Sequence, residues 1–172
     1  LRSFWARPGL LSPRHPHKFR AAMAIQESAS MTELSTTLNP HAALIYVMVV
    51  VSAADARMSD AELHMIGDTV RKLPVFKGFH DDKIIPVARE CAAILQEREG
   101  LDAIMGLVRE ALSPSLRETA YALALDVVLA EAPVHPEENR ILQRLRVALD
   151  VDRLTAAALE KAAVVRHARI TT

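Results

Sequence analysis

The first side chains that could do chemistry form a column of carboxylates and an imidazole. Asp60, His64 and Asp68 recur at four-residue steps, a spacing that stacks side chains along one face of a helix. Such a line could supply ligands to a transition metal, although a metal site needs ligands that converge. A solvated charged column on an exposed helix face has the same pattern. The sequence favours the charged column.

The single cysteine, Cys91, could act as a nucleophile only in its thiolate form. Its neighbours Val87, Ala88, Ala92 and Leu95 are apolar and lie at helical spacing. The sequence therefore predicts a protonated thiol that packs as a small hydrophobe. One cysteine cannot close an intrachain disulfide, which favours a reducing, cytoplasmic location.

Sequence motifs of known catalytic chemistry are missing. The chain contains no Gly-x-Ser-x-Gly elbow, no phosphate-binding glycine loop and no His-Glu-x-x-His helix. Four further histidines stand apart without ligand spacing: His41, His80, His135 and His167. The sequence predicts a protein that is not an enzyme.

Composition predicts one all-α domain. The chain has 172 residues, 51% of them apolar and only 4% aromatic, so its core must consist mainly of aliphatic side chains, which favour helix packing. Residues 1–30 carry five basic side chains and one acidic one, which leaves sixteen basic against twenty acidic from residue 31 onward. A nucleic-acid-binding domain would show a basic face, so nucleic-acid binding is not expected.

The sequence divides into a leader and one domain. Residues 1–30 contain three prolines and scattered arginines without a helical period, which predicts a disordered leader or an upstream extension that is never translated. An organelle-targeting peptide is the alternative. Residues 31–172 are predicted to form a single domain. The longest apolar run, residues 42–54, is too short to span a bilayer.

Hydrophobic periodicity and capping signals predict about seven helices in a compact bundle. Asn39-Pro40 and Ser113-Pro114 each combine a cap with a proline at the first helical position. Ser59 and Glu62 form a capping box, and Gly100 is expected to end a helix in the left-handed conformation. The predicted helices span residues 40–55, 59–73, 81–99, 101–112, 114–131, 136–149 and 152–166.

An internal repeat relates the two halves of the chain. When the sequence is displaced by 76 residues, an apolar helix, an acidic end, a short turn and a second helix with Glu in its first turn coincide. The aligned pairs include Asp55 with Glu131, Glu62 with Glu138, Ile66 with Leu142 and Leu73 with Leu149. The sequence therefore predicts a duplicated helical hairpin with pseudo-twofold symmetry.

The repeated segments VSAADARMSDAELHMI and VVLAEAPVHPEENRIL resemble the twin signature of the tellurite-resistance TerB-like proteins. That signature is small-small-Asp-Gly, a hydrophobic residue two positions later and Glu four positions after that. The resemblance covers most of residues 31–166. The chain departs from the signature at Ala56 and Ala132, which replace glycine, and at Glu131, which replaces Asp.

The resemblance implies a compact helical fold, which is also that of the amino-terminal part of a membrane-anchored DnaJ-like co-chaperone. It also implies a role in stress or toxic-oxyanion response, in chaperone-like assemblies or at the periphery of a membrane complex. Four residues of this chain match acidic positions of the family: Asp55, Glu62, Glu131 and Glu138. If they converge, their oxygens would suit Ca²⁺ or Mg²⁺. Alternatively, Glu62 and Glu138 only cap their helices.

The expected function is a non-catalytic interaction module that binds a protein partner and, through its acidic turns, a divalent cation. A metal-dependent, hydrolase-like enzyme using the same carboxylates is the first alternative. A purely structural domain is the second.

Overall fold

The computed structural model describes residues 38–53, 60–130 and 136–170 of the chain. Within these ranges the chain forms seven α-helices and no strand, which confirms the predicted all-α class. Two 3-10 turns, Pro74–Phe76 and Asp81–Lys83, precede the third helix. In chain order the α-helices are α1 (Pro40–Ser52), α2 (Asp60–Lys72), α3 (Ile84–Leu95), α4 (Gly100–Ala111), α5 (Pro114–Ala130), α6 (Pro136–Ala148) and α7 (Arg153–Arg166).

Polar side chains cap the first and last helices as predicted. The side chain of Asn39 accepts a hydrogen bond from the backbone N–H of His41 at 2.9 Å, and Pro40 occupies the first helical position of α1. At α7, Asp152 accepts from the backbone N–H groups of Leu154 at 2.8 Å and Thr155 at 3.1 Å. Hydrogen bonds from Thr155 lower the pKa of Asp152, so its charged form is the better cap.

Helix α1 is the centre of the hydrophobic core. Its residues 42–52 are all buried, on every side of the helix. A helix that is apolar all round can be stable in a globular protein only when other elements surround it. Helices α3, α4 and α5 pack against it.

The two hairpins of the repeat, α1 with α2 and α5 with α6, pack on each other reciprocally. Helix α1 packs against α5, α1 also contacts α6, and α2 contacts α5. Each second helix therefore lies on its own partner and on the first helix of the other hairpin. A pseudo-twofold repeat, as predicted from the sequence, requires this reciprocal packing.

The prediction for Gly100 is wrong. Helix α3 ends at Leu95, and Gly100 does not close it but begins α4, with a φ outside the left-handed region. The physical reason is close packing of backbone: a Cβ at Gly100 would lie 1.9 Å from the carbonyl oxygen of Ile94. Glycine is needed here because it has no side chain.

Several predictions fall on residues outside the described ranges. These are the leader at residues 1–30, the Ser59 cap and the helix ends at Asp55 and Glu131. They stay predictions. Among the helices that the structure does describe, none combines the length and apolar character needed to cross a bilayer.

Candidate functional site

The structure describes two of the four residues of the predicted acidic site. Glu62 and Glu138 both lie in the first turn of a helix, α2 and α6 respectively, and both are half-buried. Asp55 and Glu131 lie outside the described residues. Within residues 38–53, 60–130 and 136–170, no three His, Cys, Asp or Glu side chains gather closely enough to hold a metal ion. A cation site at these turns therefore depends on Asp55 and Glu131.

The end of α5, which leads into the second acidic turn, has hydrogen-bond partners that follow α7. Asp126, in the last part of α5, accepts a hydrogen bond from Arg166 at 2.5 Å and lies 3.3 Å from a ring nitrogen of His167. Arg169 donates to the carbonyl oxygen of Ala130 at 3.1 Å. Residues 166–169 thus contact the end of α5, immediately before the segment that contains Glu131.

The charged column on α2 has local partners. A ring nitrogen of His64 lies 3.1 Å from the backbone oxygen of Asp60. Arg71 at 2.6 Å and Lys72 at 3.1 Å donate to the carboxylate of Asp68, and these bonds lower its pKa. These partners support the solvated charged column that the sequence favours.

Cys91 is a core residue, as predicted. It is fully buried, and its Sγ lies 3.8 Å from the backbone oxygen of Tyr46. Burial, with a smaller contribution from the charge of Glu90, raises the pKa of the thiol to about 12. The thiol therefore stays protonated at neutral pH and is a poor nucleophile.

A cleft that no sequence motif indicates lies among α5, α6 and α7. Its volume is about 330 Å³, and Tyr121, Arg146 and Glu160 contribute polar groups to its lining. The hydroxyl of Tyr121 donates to Glu160 Oε1 at 2.7 Å, although the two residues are 39 positions apart. No local motif joins these residues, so only the folded chain reveals the cleft.

The chain's two tyrosines differ in how their hydroxyl groups are satisfied. Tyr46 in α1 is fully buried, and its hydroxyl has no hydrogen-bond partner among the described residues. Burial is the main cause that raises the pKa of Tyr46, and the nearby charge of Glu90 is a secondary cause. The Glu90 side chain does not lie in hydrogen-bonding geometry with the Tyr46 hydroxyl. The Tyr121 hydroxyl has Glu160 as its acceptor.

The two Tyr→Phe variants are therefore expected to change stability in opposite directions. Tyr46→Phe removes a buried polar atom that gains no hydrogen bond, and should raise the free energy of unfolding by up to about 1 kcal/mol. Tyr121→Phe removes a hydrogen bond to a carboxylate, and should lower it by about 1 kcal/mol. Urea denaturation of both variants beside the wild type measures the difference. Destabilisation by Tyr46→Phe would show that its hydroxyl has a partner.

The described fold is a helical module built on two hairpins, with a glutamate in the first turn of the second helix of each. The chain matches the family described as "Tellurite resistance protein TerB" over residues 41–161. That range is well over half of the chain and includes both hairpins, so the chain belongs to the TerB family. No curated protein and no solved structure matches the chain.

Proposed function

We propose that this chain is a non-catalytic interaction module of the tellurite-resistance type, which acts in a stress response by binding a protein partner. We further propose that Asp55, Glu62, Glu131 and Glu138 bind a divalent cation, Ca²⁺ or Mg²⁺. The observation that carries the proposal is the family match, because it spans both hairpins and their acidic turns.

The described carboxylates support a paired arrangement. Glu62 and Glu138 occupy the same place in α2 and α6, and each of these helices packs on the first helix of the opposite hairpin. Carboxylate oxygens are the preferred ligands of Ca²⁺ and, with more bound water, of Mg²⁺. Four carboxylates in one place would repel each other, and a divalent cation would relieve that repulsion.

A calcium titration of the ¹⁵N-labelled full chain tests the cation site. We expect saturable shifts of the amides of Glu62 and Glu138, and a loss of affinity of at least about tenfold in Asp55→Asn/Glu131→Gln, since each lost carboxylate removes a charged ligand. The matched control is Asp60→Asn/Glu137→Gln, which removes the same charge from the first turns of α2 and α6. It should bind like the wild type.

Two results would contradict the cation site. The first is the absence of saturable shifts in the wild type with both Ca²⁺ and Mg²⁺. The second is an equal loss of affinity in the Asp55/Glu131 variant and the Asp60/Glu137 control. Such a result would mean that cation affinity depends on the net charge of the protein and not on these particular carboxylates.

Partner binding is tested separately by affinity capture from a native lysate. The full chain, the Asp55→Asn/Glu131→Gln variant and the Asp60→Asn/Glu137→Gln control are used as three parallel baits. We expect the wild type and the control to capture the same proteins and the Asp55/Glu131 variant to lose at least one of them. Identical captures by all three baits would show that the acidic turns are not the recognition surface.

A further inference from the structure

The cleft among α5, α6 and α7 is the space left between two helices that pack on the same third helix. Both α6 and α7 pack against α5, and α6 and α7 make little contact with each other. The space between them has a volume of about 330 Å³, which lies within the range of small-molecule sites. Aliphatic side chains form much of its lining: Leu125, Val128, Leu129, Leu142 and Val164.

Two opposite charges line this cleft, and each is held by a bond to another group. Glu160 accepts the Tyr121 hydroxyl through Oε1 at 2.7 Å, which leaves Oε2 for another donor. Arg146 donates from Nη1 to the backbone oxygen of Val151 at 3.3 Å, which leaves further N–H groups of its guanidinium. The bonds fix both charges without neutralising either.

The two charges do not neutralise each other. Arg146 and Glu160 are both described residues, and no ion pair within 4.0 Å joins them. Opposite charges that line one cleft without pairing offer a carboxylate for a cationic group and a guanidinium for an anionic group. A ligand that carries both a cationic and an anionic group could pair with the Glu160 carboxylate and the Arg146 guanidinium at the same time.

Two amide side chains extend the polar wall along α6. Asn139, Gln143 and Arg146 all line the cleft, and steps of four and three residues place them on one face of the helix. Amides both donate and accept hydrogen bonds. Three polar side chains thus follow α6, Glu160 lines the cleft from α7, and the aliphatic residues of the lining lie mainly on α5.

We propose that this cleft binds a small zwitterionic molecule with an aliphatic tail, whose ammonium group pairs with Glu160, whose carboxylate pairs with Arg146, and whose tail lies against Leu125 and Val128. A free aliphatic amino acid is the simplest compound of this class. Neither Glu62 nor Glu138 is among the described residues that line the cleft, and the proposal assigns no role to any of the four acidic-turn residues.

Titration of the ¹⁵N-labelled full chain with L-leucine tests the proposal. We expect saturable amide shifts at Gln143, Glu160 and Val164 below about 10 mM ligand. Two analogues serve as parallel probes: 4-methylpentanoate lacks the amine, and 3-methylbutylamine lacks the carboxylate. Each should bind at least about tenfold more weakly, since each gives up one charge-assisted hydrogen-bonding group.

Two adjacent valines provide a matched pair of variants. Val164 lines the cleft and is 53% exposed, whereas Val165 is 60% exposed and does not line it. Val164→Phe should fill the cleft and abolish L-leucine binding, and Val165→Phe should leave it unchanged. Glu160→Gln, on the exposed side of α7, should weaken binding about tenfold because it removes the charge that meets the ammonium group.

Three results would overturn the proposal. They are the absence of saturable shifts with L-leucine, equal affinity of L-leucine and either analogue, and equal loss of binding in Val164→Phe and Val165→Phe. Thermal denaturation of each variant without ligand confirms that the helices remain folded, so that a loss of binding reports on the cleft.

Discussion

Ile45→Ala is expected to lower the free energy of unfolding by about 3 kcal/mol. Ile45 is fully buried in α1, the helix that α3, α4 and α5 surround. Truncation removes buried apolar area and leaves a cavity, and both effects destabilise the folded state. Because three helices pack against α1, the core around it is not expected to collapse fully into the cavity.

The matched control for this variant is Ile85→Ala. Ile85 lies in the first turn of α3 and is 47% exposed, so its truncation should change stability by less than about 1 kcal/mol. Urea denaturation, with the same slope of free energy against urea for each variant, measures both values. Equal losses in the two variants would mean that α1 is not the centre of the core.

Helix starts and the buried helix could be predicted from sequence because their causes are local. Asn39 and Asp152 bond to backbone groups two and three residues away, and such spacing is visible in the sequence. The apolar run of α1 likewise predicts burial, since water cannot solvate any face of it favourably. Helices α3 and α4 lack such a signal, since each begins without a side-chain cap, and α3 spans Ile84–Leu95 and not the predicted residues 81–99.

The cleft could not be predicted because its determinants are distant in sequence. Tyr121 and Glu160 are separated by 39 positions, and Asp126 and Arg166 by 40. An isolated tyrosine or glutamate carries no signal of its partner. Such pairs form only when α7 lies against α5, and that placement depends on packing along the whole of both helices.

The acidic site can be predicted from the sequence only in part. The internal repeat pairs Glu62 with Glu138, and both lie in the first turn of equivalent helices. Convergence of these carboxylates with Asp55 and Glu131 is a question of distances between side chains. Residue spacing does not determine such distances, so the sequence alone does not predict the convergence.

Gly100 shows how one sequence signal can have two physical causes. A glycine after a predicted helix indicates a left-handed residue, but it also permits two backbone segments to approach closely. At Gly100 the second cause applies. An added Cβ would lie 1.9 Å from the oxygen and 2.8 Å from the carbonyl carbon of Ile94, and 2.9 Å from the Cα of Leu95.

Gly100→Ala is therefore expected to destabilise the protein by about 3 kcal/mol, because the atoms that it meets belong to backbone and can move only if α3 or α4 shifts. Gly106 lies on the exposed side of α4, and apart from its chain neighbours and the adjacent backbone of α4 no atom lies within 4 Å of an added Cβ. Gly106→Ala should instead stabilise the protein by about 1 kcal/mol, since alanine favours the helical conformation. Urea denaturation of both variants compares the same substitution in the same helix. Stabilisation by both would show that α3 and α4 are not in close backbone contact at Gly100.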